Sequence, residues 1–336
     1  MTLWAAVRPA GLCLLLLAAC ATQPSITAVP PLPRPSQPEE PEEQPSQADI
    51  RMARAERNRA ANDAAHRAAS APDEELRRYY QGMEASLLSH GRLRRDRVPQ
   101  DAPIDVDSLT RDFIQIALHD EYSRSGERLV ADSPSAPLRR WKDPVRLQLS
   151  FGDSADQALQ RIYRGQVAAF STRLQQATGH PVSLTASKGN FHILVLSEAE
   201  RRDISSYLAT TVPDLPAADV ATLSQLDRDN LCTVFAYSRG DQQYYVRAVA
   251  IMRAELPSLL RSSCIHEELA QGLGLANDSP SARPSIFNDD EEFALLTRHD
   301  ELLLQILYDP RLRPGMTAAE ATPIVRSIAT ELLDGN

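Results

Sequence analysis

The chain of 336 residues is short of aromatic side chains, at 5% of the total, and carries no excess of base. Its 36 lysines and arginines are outnumbered by 45 aspartates and glutamates, for a formal charge of -9. Nucleic acid and anionic lipid both reward a basic surface, so neither is an expected partner. The sequence contains no G-x-S-x-G, no Walker loop and no G-x-G-x-x-G, so three common routes to acyl transfer, nucleotide binding and hydride transfer have no signature. Only four cysteines occur, none in a C-x-x-C pair, which argues against redox catalysis and against a structural zinc knuckle. No internal repeat is visible.

What is present divides unevenly along the chain. Residues 1–20, MTLWAAVRPAGLCLLLLAAC, hold one cation, Arg8, and then an apolar run too short to span a bilayer. Its end, Leu17-Ala18-Ala19-Cys20, resembles the lipobox of bacterial lipoproteins. That resemblance implies a signal peptide over 1–19, a diacylated Cys20 as the mature N-terminus and a membrane anchor facing the periplasm. Ala21 at the second mature position implies the outer rather than the inner membrane. Residues 20–48 then form a tether with eight prolines and four glutamates after the cysteine. In polyproline form, at about 3.1 Å per residue, it reaches several tens of ångströms. Residues 49–71 read as a solvated Ala/Arg-rich helix, 72–143 as a helical N-terminal layer, and 144–334 as the main domain.

In that main domain VRLQLSF alternates like a strand, and VSLTA, NFHILVL, LCTVFAYS and QYYVRAVAIM are further strands. Helices are predicted over 153–179, 197–211, 256–275, 290–308 and 317–333. Mixed strands followed by clustered helices predict an α+β fold with a sheet of about five strands. With Cys13 lost and Cys20 acylated, Cys232 and Cys264 remain as candidates for one disulfide, the alternative being two separate buried thiols.

The candidate chemistry centres on CIHEELAQGLGLAND, residues 264–278. His266-Glu267 opens like an H-E-x-x-H zinc helix, but Ala270 stands where the second histidine belongs. Three readings follow. In the first, His266 ligates zinc and Glu267 is the general base, with Glu291, Glu292 and His299 as the pool of further ligands. Glu292 and His299 share a helix face, yet are about 10 Å apart along its axis. In the second, a peptidase-like helix binds no metal and borders a cleft for a peptide or glycan. In the third, the pair is a satisfied element of the core. Arg261 and Glu268 are placed on the wetter side of the helix. The acidic stretches 277–279 and 287–292 offer oxygen ligands for calcium but lack EF-hand order, and helix capping accounts for Asn288 to Glu292 more simply. Gly152-Asp153-Ser154 resembles a GDSL esterase turn; Ser154 and Gln157 read better as a capping box.

The strand NFHILVL, Cys232, CIHEELAQGLGLANDS, SIFNDDEEFALLTRHDELLLQILYDPRLRPGM and TAAEATPIVRSIATEL together resemble the domain-of-unknown-function family 2927. These are proteobacterial lipoproteins without an established activity. The resemblance covers roughly 145–334. It supports localisation and domain extent and implies no substrate. A β-rich half followed by an H-E helix further suggests, by fold-level analogy, a degenerate zincin-like domain. The expectation is an envelope lipoprotein that binds a protein, peptide or cell-wall partner without catalysis and without a cofactor; the alternative is a zinc-dependent hydrolase using His266 and Glu267.

Overall fold

The computed structural model describes residues 47–125, 128–213, 215–288 and 290–335. Cys20, the signal segment and nearly all of the tether lie outside them. The chain divides into two units, 1–59 and 60–336, and the account below concerns the second.

Helix α1 (Gln47–Ser89) runs through Pro72, where the sequence suggested a break between two helices. Helix α2 (Val106–Ala117) starts at Asp105, whose side chain accepts from Ser108 N in a capping box. A hairpin of β1 (Tyr122–Ser125) and β2 (Arg128–Ala131) follows, inside the segment expected to be helical. Short β3 (Arg140–Trp141) leads to β4 (Val145–Phe151), which alternates as read and buries Val145 and Leu147. Helix α3 (Gln157–Thr178) is capped by Asp156, which accepts from Leu159 N, rather than by Ser154. Ser154 instead donates its hydroxyl to Glu200 at 2.7 Å. The helix ends at Gly179 in the left-handed region, φ 66°, and buries Tyr163, Val167, Phe170 and Leu174 on one stripe.

Strands β5 (Val182–Thr185) and β6 (Phe191–Leu196) come next. The predicted single helix after β6 is broken into α4 (Glu198–Arg202) and α5 (Ser205–Thr211) by a turn at Asp203–Ile204. Helix α6 (Ala217–Ser224) precedes β7 (Cys232–Ser238) and β8 (Tyr244–Arg253). Helices α7 (Ser258–Gln271), α8 (Arg298–Tyr308) and α9 (Ala318–Asp334) complete the chain. α8 begins later than the predicted 290, because Thr297 and Asp300 form the capping box that starts it. Asn288 to Glu292 therefore caps no helix.

The α+β class holds, with a six-stranded sheet in place of about five strands. β3, β8, β6, β4 and β5 are parallel neighbours, and β7 is the one antiparallel strand, paired to β8. Central β6 is buried along its whole length, as expected for a parallel strand covered on both faces. Phe191, Ile193 and Val195 enter the main core with α3, α7 and α8, while Leu194 packs with Ile204, Leu208, Val212 and Leu223 under α4–α6.

Three contacts fix α7 in place. Pro257 supplies no side-chain cap, and Glu84 Oε2 on α1 accepts instead from Leu259 N and Leu260 N at 2.8 and 2.9 Å. A carboxylate there also complements the positive end of the helix dipole. At the other end Trp141 Nε1 donates to Gly272 O at 2.7 Å. A Cβ on Gly272 would lie 2.4 Å from the Phe191 ring, so the helix exit passes the sheet at a distance only glycine allows. The third contact is the Cys232–Cys264 disulfide, which ties β7 to α7 with Cα atoms 5.9 Å apart.

Candidate functional site

Adjacent side chains on a helix diverge by about 100°, and α7 uses that divergence to place His266 and Glu267 in different surroundings. His266 faces α3. Its ring stacks on Phe170 with centroids 4.0 Å apart, and its Nδ1 accepts from Leu296 N at 3.0 Å. Burial, reinforced by the nearby Arg173 guanidinium, holds the imidazole down to about 3, so it is neutral across the physiological range. The cavity beside it, lined by Gln166, Ala169, Phe170, Arg173, Ser262 and Ile265, contains no carboxylate among its described walls.

Glu267 faces the opposite side, toward β7. With Glu268 and Gln271 it lines a cavity of about 150 Å³, to which Glu121, Asp278 and Glu291 also contribute. Burial first, and the neighbouring Asp278, Glu268 and Glu291 second, push the Glu267 carboxyl well above the usual carboxylate range. Glu268 shifts the same way, from burial and then from Glu121 and Asp278. The expectation that Glu268 and Arg261 mark a wet helix face is corrected here. They are 4% and 9% exposed, because β7 with residues 121–122 covers one and α3 with Tyr163 covers the other.

The remaining sequence candidates are dispersed. Glu291, at φ 58°, lies on the Glu267 side and uses its carbonyl to accept from Leu93 N. Glu292 is held by Arg283 and Arg94, accepting at 2.7 and 2.8 Å, and Arg283 above all keeps its pKa below the usual range. His299 is fully buried, with Nε2 3.2 Å from Asp112 and Nδ1 3.7 Å from Asp300. These are ion-pair distances without hydrogen-bond alignment at the ring nitrogens. Burial alone would depress this imidazole; the two carboxylates outweigh it and raise it to about 8. Among the described residues, no three of His266, Glu291, Glu292 and His299 converge on one point. Among the described residues, the single group of potential ligands close enough to share an ion is Cys232, Glu267 and Glu268, with ligand atoms within 4.8 Å of one another. The Cys232 sulfur is committed to the disulfide, so it offers no thiolate.

Glu268 and Gln271 were missed in the sequence, although a signal was there. Glu267 and Gln271 are spaced i and i+4 on one face, with Glu268 between them, and Asp278 follows the glycine turn. That is the spacing of H-E-x-x-H displaced by one residue, with oxygen donors in place of imidazoles. The Gln271 Nε2 donates to Asp278 at 3.2 Å, which fixes the amide at the cavity wall.

A family model described as "Protein of unknown function (DUF2927)" matches residues 106–327. No curated protein and no solved structure matches the chain. The match spans more than half of the sequence, and the chain belongs to that family.

Proposed function

From membership of a family with no assigned chemistry, we propose an envelope-facing lipoprotein, anchored through Cys20 with the outer membrane favoured, whose domain binds an extended segment of a partner protein beside β7. One observation carries the reading. β7 pairs with β8 on one side and with no other strand among the described residues, and its Val234, Phe235 and Ala236 line a slot opposite Asp120, Glu121 and Tyr122. The slot is about 170 Å³, the size of one or two side chains rather than of a large ligand. An edge strand of this kind accepts a peptide by main-chain pairing, and the pockets along it select side chains. Its described walls carry Asp120 and Glu121 against Arg139, which pairs with Asp120, and the excess of one carboxylate favours a segment with a basic residue.

The arrangement of a mostly parallel sheet, one antiparallel edge strand and then a helix with polar residues facing that strand supports the zincin-like analogy at fold level. Against zinc hydrolysis by His266 and Glu267 stands their placement in separate cavities. The lipobox supports the anchor, and no helix among the described residues is long and apolar enough to cross a membrane.

A photo-crosslinking residue introduced at Phe235 in the full-length protein, in intact cells, tests the binding reading. One dominant adduct should form there, absent when the probe sits at exposed Arg326 on α9, and it should disappear on adding Ala236→Asp. Adducts that are the same at both positions, or none at Phe235, would count against the cleft. Radiolabelled palmitate incorporation lost in Cys20→Ser checks the anchor.

A further inference from the structure

The acidic cavity holds a problem that the peptide reading leaves unsolved, and its solution stands independently of that reading. Glu268 is 4% exposed and its Oε2 has no hydrogen-bond partner. A carboxylate oxygen of Glu267 lies within 4.8 Å of one of Glu268. Two carboxyls this close, Glu268 buried and Glu267 half-buried, are not both charged without a counter-charge, since each ionised group disfavours the other and little water reaches them. No lysine or arginine occurs among the described residues lining the cavity. Glu121, Asp278 and Glu291, each with contacts of its own, add negative field around the pair. Burial first and this crowding second shift both carboxyls upward.

We infer that Glu267, Glu268 and Gln271 form the core of a binding site for a hard divalent cation of the calcium class. The donor set decides the class of ion. Two carboxylates and an amide are all oxygen donors, and such sites select calcium, magnesium or manganese over zinc. The Gln271 amide gives its Nε2 hydrogen to Asp278, so its Oε1 is the end available to a cation. The nearby Cys232 sulfur would draw the preference toward zinc only as a thiolate, and the disulfide removes that form. A larger ion with loose geometry suits a site made from one helix turn, with water completing the shell, better than the strict octahedron magnesium demands.

The test uses the full-length protein, stripped with chelator and dialysed, and measures the thermal midpoint and calorimetric titration with calcium, magnesium and zinc chlorides. Calcium at about 1 mM should raise the midpoint by several degrees, in line with affinities of extracellular calcium modules. Glu268→Gln, which keeps the shape and removes one charge, should weaken calcium binding about tenfold or more. In the metal-free state the same variant should melt at or above the parent, because one buried repulsion is gone. Glu320→Gln on α9, away from the cavity, should leave calcium binding unchanged. If Glu268→Gln fails to fold, Glu267→Gln and titration of the parent protein decide. The inference is overturned if calcium and magnesium produce neither heat nor a midpoint shift. It is equally overturned if zinc binds and is unaffected by either substitution. A midpoint insensitive to all three cations that falls between pH 5 and 8 in the parent but not in Glu268→Gln would assign the pair to a shared proton instead.

Discussion

Raising the pH should remove a specific part of this protein's stability, and the part is attached to one residue. His299 is fully enclosed between Asp112 and Asp300, and its pKa stands at about 8 against an ordinary 6.5. A folded-state pKa above the unfolded one means that the native protein holds the proton more tightly. The stabilisation is complete below pH 6.5, where both states are charged, and is lost as pH rises through 8. The difference of about one and a half pH units corresponds to about 2 kcal/mol at 1.36 kcal/mol per unit. Urea unfolding of the parent and of His299→Gln at pH 6 and pH 9 isolates it. The variant should be less stable at pH 6, where Asp112 and Asp300 lose their cation, and the gap should be about 2 kcal/mol narrower at pH 9, where the parent's imidazole is already mostly neutral. Other titrating groups, the Glu267 and Glu268 pair included, are common to both proteins and cancel in the difference. A gap that stays constant, or widens toward pH 9, would refute the assignment of a charged His299, and the titration of its ring proton by NMR would show the same failure directly.

Other perturbations have equally definite outcomes. Replacing Cys232 and Cys264 together by alanine opens a bridge of sequence separation 32 and should cost about 4 kcal/mol on the chain-entropy model, read as a lowered urea midpoint that reductant reproduces in the parent. Gly272→Ala drives a Cβ to 2.4 Å from the Phe191 ring and should cost about 1–3 kcal/mol in thermal unfolding, partly restored by Phe191→Leu. The His266 pKa lies below its unfolded value, so its contribution is present above pH 6.5 and is lost as pH falls toward 3; His266→Phe should flatten that acid limb in a stability-versus-pH series. The same variant should leave calcium titration unchanged, because His266 lies outside the acidic cavity.

The α+β class, the strands β4 to β8 and the three C-terminal helices were legible because each has a periodic apolar pattern or, in β6, a nearly unbroken apolar run. The paired strands β1 and β2 were not, since YSRS and RLVA, at four residues each, are too short to carry one. The start of α8 was misplaced because acids at 290–292 resemble a helix start while the true cap is Thr297 with Asp300. At the site, the eye goes to a known dipeptide, His266-Glu267, yet two neighbours on a helix look in different directions. Which direction mattered depended on β7 and residues 121–122 lying over Glu268, a tertiary fact that no spacing within α7 encodes. Glu292 and His299 were read as free to ligate because Arg94 and Asp112 come from distant parts of the chain.

The disulfide has a bearing on the order in which the molecule can be assembled. The two cysteines bracket β7, β8 and the first turns of α7, so everything needed to bring the sulfurs together lies within one continuous stretch. A chain delivered N-terminus first presents both thiols while α8 and α9, which pack later into the same core, are still to come. The wall that carries Glu267, Glu268 and Gln271 can thus be locked to its facing strand ahead of the C-terminal helices. Those helices then add to a core whose α7 is already tied to β7.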